Sequence, residues 1–220
     1  MKTKVLNTKV CRPKLVGSYF RKRLFKYLDD NKDFPLTWII GPAGCGKTTL
    51  ASTYAEFNNL DCIWYQIDAG DNDFATFIYY LGQAIANHLS QDPNILRHFT
   101  PEYIFGAEVF ARRYFEEIGH MIKPPAILVF DNYQFIPAES VHHKLFINGI
   151  SRLPSGLRVL VLSRSSPPPA FARMKANGRM GSLTWEDLRL EFDETCSIID
   201  LKAKKPVSDQ IKNEIKYYRM

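Results

Sequence analysis

Apolar residues fall along this chain in two alternating patterns, short continuous runs and stripes at helical spacing. Leu24, Phe25 and Leu28 recur at helical spacing and predict a first helix over Arg21–Asp29. Leu36–Ile40 is a short apolar run that ends at a glycine-rich loop and reads as a buried strand, and the loop passes into a helix through Leu50–Glu56. Cys62–Ile67 reads as a second strand, followed by the loop Asp68–Asp73 and a long helix over Phe74–Leu89. A further helix fits Glu108–Met121, and Pro124–Pro125 lead into Ala126–Phe130, the strongest central-strand signal of the chain. Beyond Asp131 the pattern gives a helix near Val141–Leu153, the turn Pro154–Gly156 and a strand at Leu157–Leu162. The polar run Ser163–Ser166 and the prolines Pro167–Pro169 end that strand, and Ala170–Ala176 reads as a short helix.

Ser182–Leu188 reads as a last edge strand or as the opening of a new subdomain. A lysine-rich tail with apolar residues at Ile211, Ile215 and Tyr218 predicts an amphipathic helix with little left to pack on, as in a chain that ends partway through a larger protein. Strands alternating with helices are the pattern of an α/β fold, a central parallel β-sheet flanked by helices, here with a small C-terminal helical extension. The sequence holds no internal repeat and no low-complexity segment.

Composition narrows this only a little. With 220 residues, 45% of them hydrophobic, the chain is long enough for one substantial core and a small appendage. The 29 Lys and Arg against 23 Asp and Glu leave a net charge of +6, which suits anionic ligands such as nucleotides without by itself indicating nucleic acid. Basic clusters at Lys2–Lys14, Arg21–Lys26 and Lys202–Lys205 read as solvated faces. Cys11, Cys45, Cys62 and Cys196 are far apart and form no CxxC pair, and no signal peptide or long apolar run is present. The expected setting is a reducing cytoplasm with free thiols and no membrane. His142–His143 is expected on an exposed helix face, where neighbouring positions diverge and cannot share a metal.

The chemistry concentrates in Gly41-Pro42-Ala43-Gly44-Cys45-Gly46-Lys47-Thr48, a complete match to GxxxxGK[ST] placed between an apolar strand and a helix. Glycines let the backbone curl around a phosphate with successive N–H groups turned inward, and the following helix adds the positive end of its dipole. Lys47 places an ammonium against the β- and γ-phosphates, the Thr48 hydroxyl coordinates Mg²⁺, and Thr49 reaches the α-phosphate. Ala126–Asp131, an apolar strand ending in a carboxylate about eighty residues downstream, supplies the second element, with Asp131 holding Mg²⁺ through water. Asn132 follows it; an amide cannot take a proton from water, so fast hydrolysis is not expected. Leu160–Ser163 with Arg164 is the third element, in which Arg164 touches the γ-phosphate and distinguishes ATP from ADP. Lys47, Asp131 and Arg164 are thus the candidate catalytic residues, Thr48 and Asp131 the candidate metal ligands, and ATP or ADP with Mg²⁺ the expected cofactors. Residues 1–180 read as the nucleotide-binding domain, and 181–220 as the start of a following helical or winged-helix-like subdomain.

With these elements in order, the chain resembles the ATPase domain of the STAND class of signal-transduction ATPases, in particular the maltose-regulon activator and the large ATP-binding LuxR-type bacterial transcription regulators. Val10-Cys-Arg-Pro13 followed by Phe20-Arg-Lys-Arg-Leu24 resembles the opening of those proteins. Trp64–Asp68 with Asp71–Phe74, Phe130–Gln134 and Leu162–Arg164 resemble three of their later motifs, and Leu183–Asp187 resembles the short motif before their winged-helix region more loosely. The resemblance implies an adenine pocket built partly from Lys14–Arg21, with Val16 and Phe20 as apolar contacts and Arg21 as a polar one. It also implies a switch in which ADP holds a resting monomer, while ATP with an inducer gives self-association and transcription activation through downstream sensor and DNA-binding domains. Asn132 departs from the family, which carries a second acid there. Two other classes stay open: a P-loop kinase, whose lid would have to be Ala170–Arg179, and a DNA-associated helper ATPase, to which the net charge lends support.

Overall fold

The computed structural model describes residues 8–203. The expected tail helix around Ile211, Ile215 and Tyr218 lies outside them, as do Lys2, Lys4, Lys204 and Lys205 of the basic clusters. The chain runs through α1 (Lys22–Asp30), β1 (Leu36–Ile40), α2 (Lys47–Phe57), β2 (Asp61–Gln66), α3 (Phe74–Leu89), α4 (Ala107–Met121) and β3 (Ala126–Asp131). It continues through α5 (His142–Ile150), β4 (Leu157–Ser163), α6 (Ala172–Ala176), β5 (Met180–Leu183), α7 (Trp185–Leu188) and α8 (Phe192–Ala203).

All five strands are parallel, in the order β2-β3-β4-β1-β5. Their side chains divide by alternation. Leu36 and Trp38 of β1, Leu128 and Phe130 of β3, and Val159 and Val161 of β4 enter one core with Phe77, Tyr114, Phe115 and Phe146 from α3, α4 and α5. Ile39, Ile127, Val129, Leu160 and Leu162 enter the other, with Leu24, Phe25 and Leu28 of α1 and Leu50, Ala51 and Tyr54 of α2. A strand buried on both faces needs apolar residues at every position, which is why β3 and β4 read as unbroken apolar runs. Because the strands are parallel, their C-terminal ends share one edge, and β4 lies between β1 and β3. The register aligns Ile40 with Ser163 and Gln66 with Asp131, so the residues just past those strands converge there.

Two expectations are corrected. Ser182–Leu188 is not one edge strand: β5 ends at Leu183, and Thr184 starts a single helical turn, its backbone N–H and hydroxyl both donating to the Asp187 carboxylate. β5 pairs with β1 and completes the sheet across the expected domain boundary at 180/181. His142 and His143 are not on an exposed face but buried, because α5 is covered on more than one side. His142 stands edge-on to the Phe77 ring of α3 at 4.2 Å, and His143 bridges the Tyr133 hydroxyl and the Pro137 carbonyl. No helix among the described residues is long and apolar enough to cross a membrane.

Candidate nucleotide site

β1 delivers Gly41 to the sheet edge, where its N–H donates to the Ser163 carbonyl at the end of β4. The loop then curls. Gly44 and Gly46 sit at φ of +77° and +90°, in the left-handed region where a side chain would strain the backbone. α2 starts at once, at Lys47, so its first N–H groups face the loop's hollow. Lys47 is buried at the loop's centre, its ammonium donating to the carbonyls of Gly41 at 2.7 Å and Pro42 at 2.8 Å, with the Cys45 sulfur at 3.7 Å.

One residue on, the Thr48 hydroxyl donates to Oδ2 of Asp131 at 2.9 Å, and the Asn132 N–H donates to its Oδ1 at 2.9 Å. Asp131 is buried, and that burial pushes its carboxyl up from the ordinary value against the pull of the two hydrogen bonds and the Lys47 charge. The carboxylate is therefore short of positive charge. A hydroxyl and a buried carboxylate oxygen meeting at the mouth of a phosphate loop are hard oxygen donors of the kind Mg²⁺ takes while keeping several waters. A dication beside Asp131 would favour its ionised form. No cluster of three or more His, Cys, Asp or Glu among the described residues could hold a metal by itself.

Asn132, in the left-handed conformation at φ +62°, turns the chain away after β3. Its side-chain oxygen accepts from Gln134 at 3.4 Å, and Gln134 in turn accepts the Arg164 N–H at 3.2 Å, linking the ends of β3 and β4. The Arg164 side chain is exposed at that edge, with no ion pair among the described residues. Asp68, past the end of β2, is tied to the Lys9 ammonium at 2.6 Å and caps the short turn that follows through the Gly70 N–H. Asp71, fully buried, shares the same ammonium.

A cavity of about 400 Å³ opens beside the loop. It is lined by Gly44, Cys45, Gly46 and Thr49, by Gly17, Ser18, Tyr19 and Arg21, and by a wall of Trp185, Leu188, Leu190, Ile198, Leu201 and Lys202. Apolar walls next to a phosphate loop suit a flat heterocyclic base.

Residues 19–164 match the Nephrocystin 3, N-terminal family. The chain belongs to that family. Two solved structures also show similarity to this chain. One is a DNA replication initiation factor, with 15% identity and a TM-score of 0.45 over 87% of this chain and 53% of that one. The other is a replication initiator DnaA bound to AMPPCP and single-stranded DNA, with 14% identity and a TM-score of 0.45 over 88% and 54%. The chain spans about half the length of each.

In this member of the Nephrocystin 3, N-terminal family, a P-loop NTPase domain, the fold gathers Gly41–Thr49, Asp131 and Arg164 at one edge. The segment before α1 places only some of its expected contacts there. Arg21 lines the cavity, whereas Val16 projects into solvent at 92% exposure. Phe20 does not line it either: its ring packs on Phe25 and Phe57, and it faces a separate outer groove of about 770 Å³. The apolar lining of the cavity comes instead from Trp185, Leu188, Leu190, Ile198 and Leu201, which sequence reasoning missed. They lie beyond the stretch matched by the family, and only their apolar character in an otherwise polar segment could have signalled them.

Proposed function

We propose that this chain is the nucleotide switch of a signal-transducing ATPase, binding ATP or ADP with Mg²⁺ in the phosphate loop and the adjoining cavity. The observation that carries the reading is the convergence of Lys47, Thr48 and Asp131 at the mouth of a loop bent by Gly44 and Gly46. In this reading Lys47 leaves the loop carbonyls for the phosphates, and Thr48 and Asp131 hold Mg²⁺, which supplies charge neutralisation along the phosphate chain. Arg164, exposed beside them, reports the γ-phosphate. The finer reading is a STAND-type regulator of bacterial transcription. ADP marks the resting state, ATP promotes self-association, and slow hydrolysis resets the switch, with signal and output in further domains. The Pro167–Phe171 turn packs against the core through a buried Phe171, which disfavours a mobile kinase lid at 170–179.

The test is calorimetry on the purified chain. Micromolar or tighter ADP and ATP affinity, abolished by Lys47→Ala with an unchanged circular dichroism spectrum, is the expected outcome. Undiminished affinity in Lys47→Ala would defeat the phosphate-loop assignment. Mass spectrometry of nucleotide released on denaturation adds the resting state, since retained ADP is what a switch of this kind carries.

A further inference from the structure

The outer wall of the cavity, residues 185–201, does not belong to the sheet. α7 is a single turn, and α8 buries only Glu194 and Cys196 among its described side chains. Its apolar anchor at the near end is Leu188, packed with α1 and α2.

Besides Leu188, a polar network binds the wall to the rest of the described chain. Arg21 sends Nε and Nη2 to the two Glu194 oxygens at 3.2 and 2.9 Å, and Nη1 and Nη2 to the carbonyls of Leu188 and Arg189 at 2.9 and 3.1 Å. Arg23 reaches the carbonyls of Asp187 and Arg189, pairs with Glu191 at 2.8 Å, and adds a second guanidinium to Glu194 at 3.4 Å. The Arg21 and Glu194 side chains are 8% and 7% exposed. A buried guanidinium–carboxylate fork of this kind is directional, and it is costly to leave half-made. β1 and β3 place the phosphate loop and Asp131, and the wall meets the loop where Leu188 packs beside Gly41.

We propose that Arg21 is a positioning residue that, through Glu194 and the carbonyls of Leu188 and Arg189, holds the 185–201 wall closed on the nucleoside end of the ligand and so sets how long nucleotide is retained. The proposal rests on the nucleotide-switch reading above and adds the device that times it. Arg21, itself part of the cavity lining, acts through the wall, and opening the clasp frees the base while the phosphates stay cradled.

Two conservative variants test it in the full chain. Glu194→Gln keeps the side-chain shape and lies outside the cavity lining; Arg21→Lys keeps the charge but loses the fork. Release of a fluorescent ADP is followed by stopped flow, and Mg²⁺-tripolyphosphate, which has no base, is titrated by calorimetry. Each variant should release ADP faster, on the order of tenfold, with tripolyphosphate affinity unchanged. The double variant should release ADP no faster than the faster single, because both act through one clasp. Unchanged release from folded Glu194→Gln overturns the proposal, and so does a parallel loss of tripolyphosphate affinity, which would mark a general loosening of the fold. If the unsubstituted chain binds no ADP, the nucleotide reading fails and the clasp falls with it. If that chain holds ADP and both variants match it, the clasp alone fails.

Discussion

Asp131 carries opposed demands. Its position past an apolar strand buries the carboxyl and raises its pKa, yet a metal-binding role needs the ionised form. An acid whose folded pKa is raised contributes its full stability below its unfolded value, 3.8, and loses it as pH rises through the folded value. At neutral pH the charge therefore costs stability. Asp131→Asn should raise the free energy of unfolding of the ligand-free chain by on the order of 1 kcal/mol, read from denaturant unfolding at pH 7. The same variant should weaken Mg²⁺-dependent ATP binding more than metal-free ADP binding. A destabilised variant would show that the Thr48 and Asn132 hydrogen bonds outweigh burial, and equal binding losses with and without Mg²⁺ would make Asp131 a support of the loop. These residues were legible in the sequence because chemistry fixes both their types and their spacing. Gln134 was not readable as a bridge, since its two bonds to Asn132 and Arg164 depend on β4 lying beside β3.

Among the elements, legibility follows how each is held. β3 and β4, sandwiched between helix layers, announce themselves as apolar runs, and α3 shows its stripe plainly. The backbone carbonyls of the wall at 185–201 accept from a guanidinium more than 160 residues away in the chain, and no local pattern encodes that. α5 fails for a different reason. Its apolar residues Leu145, Phe146 and Ile150 mark one stripe, and two histidines beside them look like the solvent side. With neighbours on several sides the helix buries them too. His142 pays most: neither ring nitrogen has a hydrogen-bond partner among the described residues, and burial, then the neighbouring His143, pull its pKa from 6.5 down to about 3 despite Asp73. Between those values the unfolded chain binds the proton and the folded chain does not, so stability is full above about 6.5 and falls as pH drops through that window. His142→Phe keeps the ring contact with Phe77 and removes the unpartnered nitrogens. It should stabilise the chain by on the order of 1 kcal/mol at pH 7, and by more at pH 5. Urea unfolding of both proteins at the two pH values checks this, and an equal acid loss in the variant would mean that His142 stays neutral in neither state.

For the molecule as a whole, the sheet order decides which carboxylates stand near the phosphate loop. Five parallel strands send every loop that could carry a general base to one edge, so the acids near the phosphates can be followed one by one. Asp131 is engaged by Thr48 and Asn132 at the mouth of the phosphate loop. Asp68 and Asp71 share the Lys9 ammonium and cap the turn after β2, and Asp73 caps α3 through Thr76. Asn132, where the resembling ATPases carry a second acid, is an amide bonded to Gln134. Each of these carboxylates thus already has a structural partner. Turnover should fall below ~1 s⁻¹, under the ~1–100 s⁻¹ typical of kinases. Slow turnover is what a switch needs, because the ATP state must outlast the assembly it promotes; light scattering in ATP and in ADP would show that assembly as a mass increase in ATP alone. The rate itself is read from phosphate release at saturating Mg²⁺-ATP, with Lys47→Ala as the blank. Several turnovers per second, lost in that variant, would mean that one carboxylate leaves its partner to act on water. Asp68, whose side chain is 58% exposed even while paired with Lys9, is the one able to do so at least cost, and Asp68→Asn would then abolish the rate while leaving ATP affinity in place.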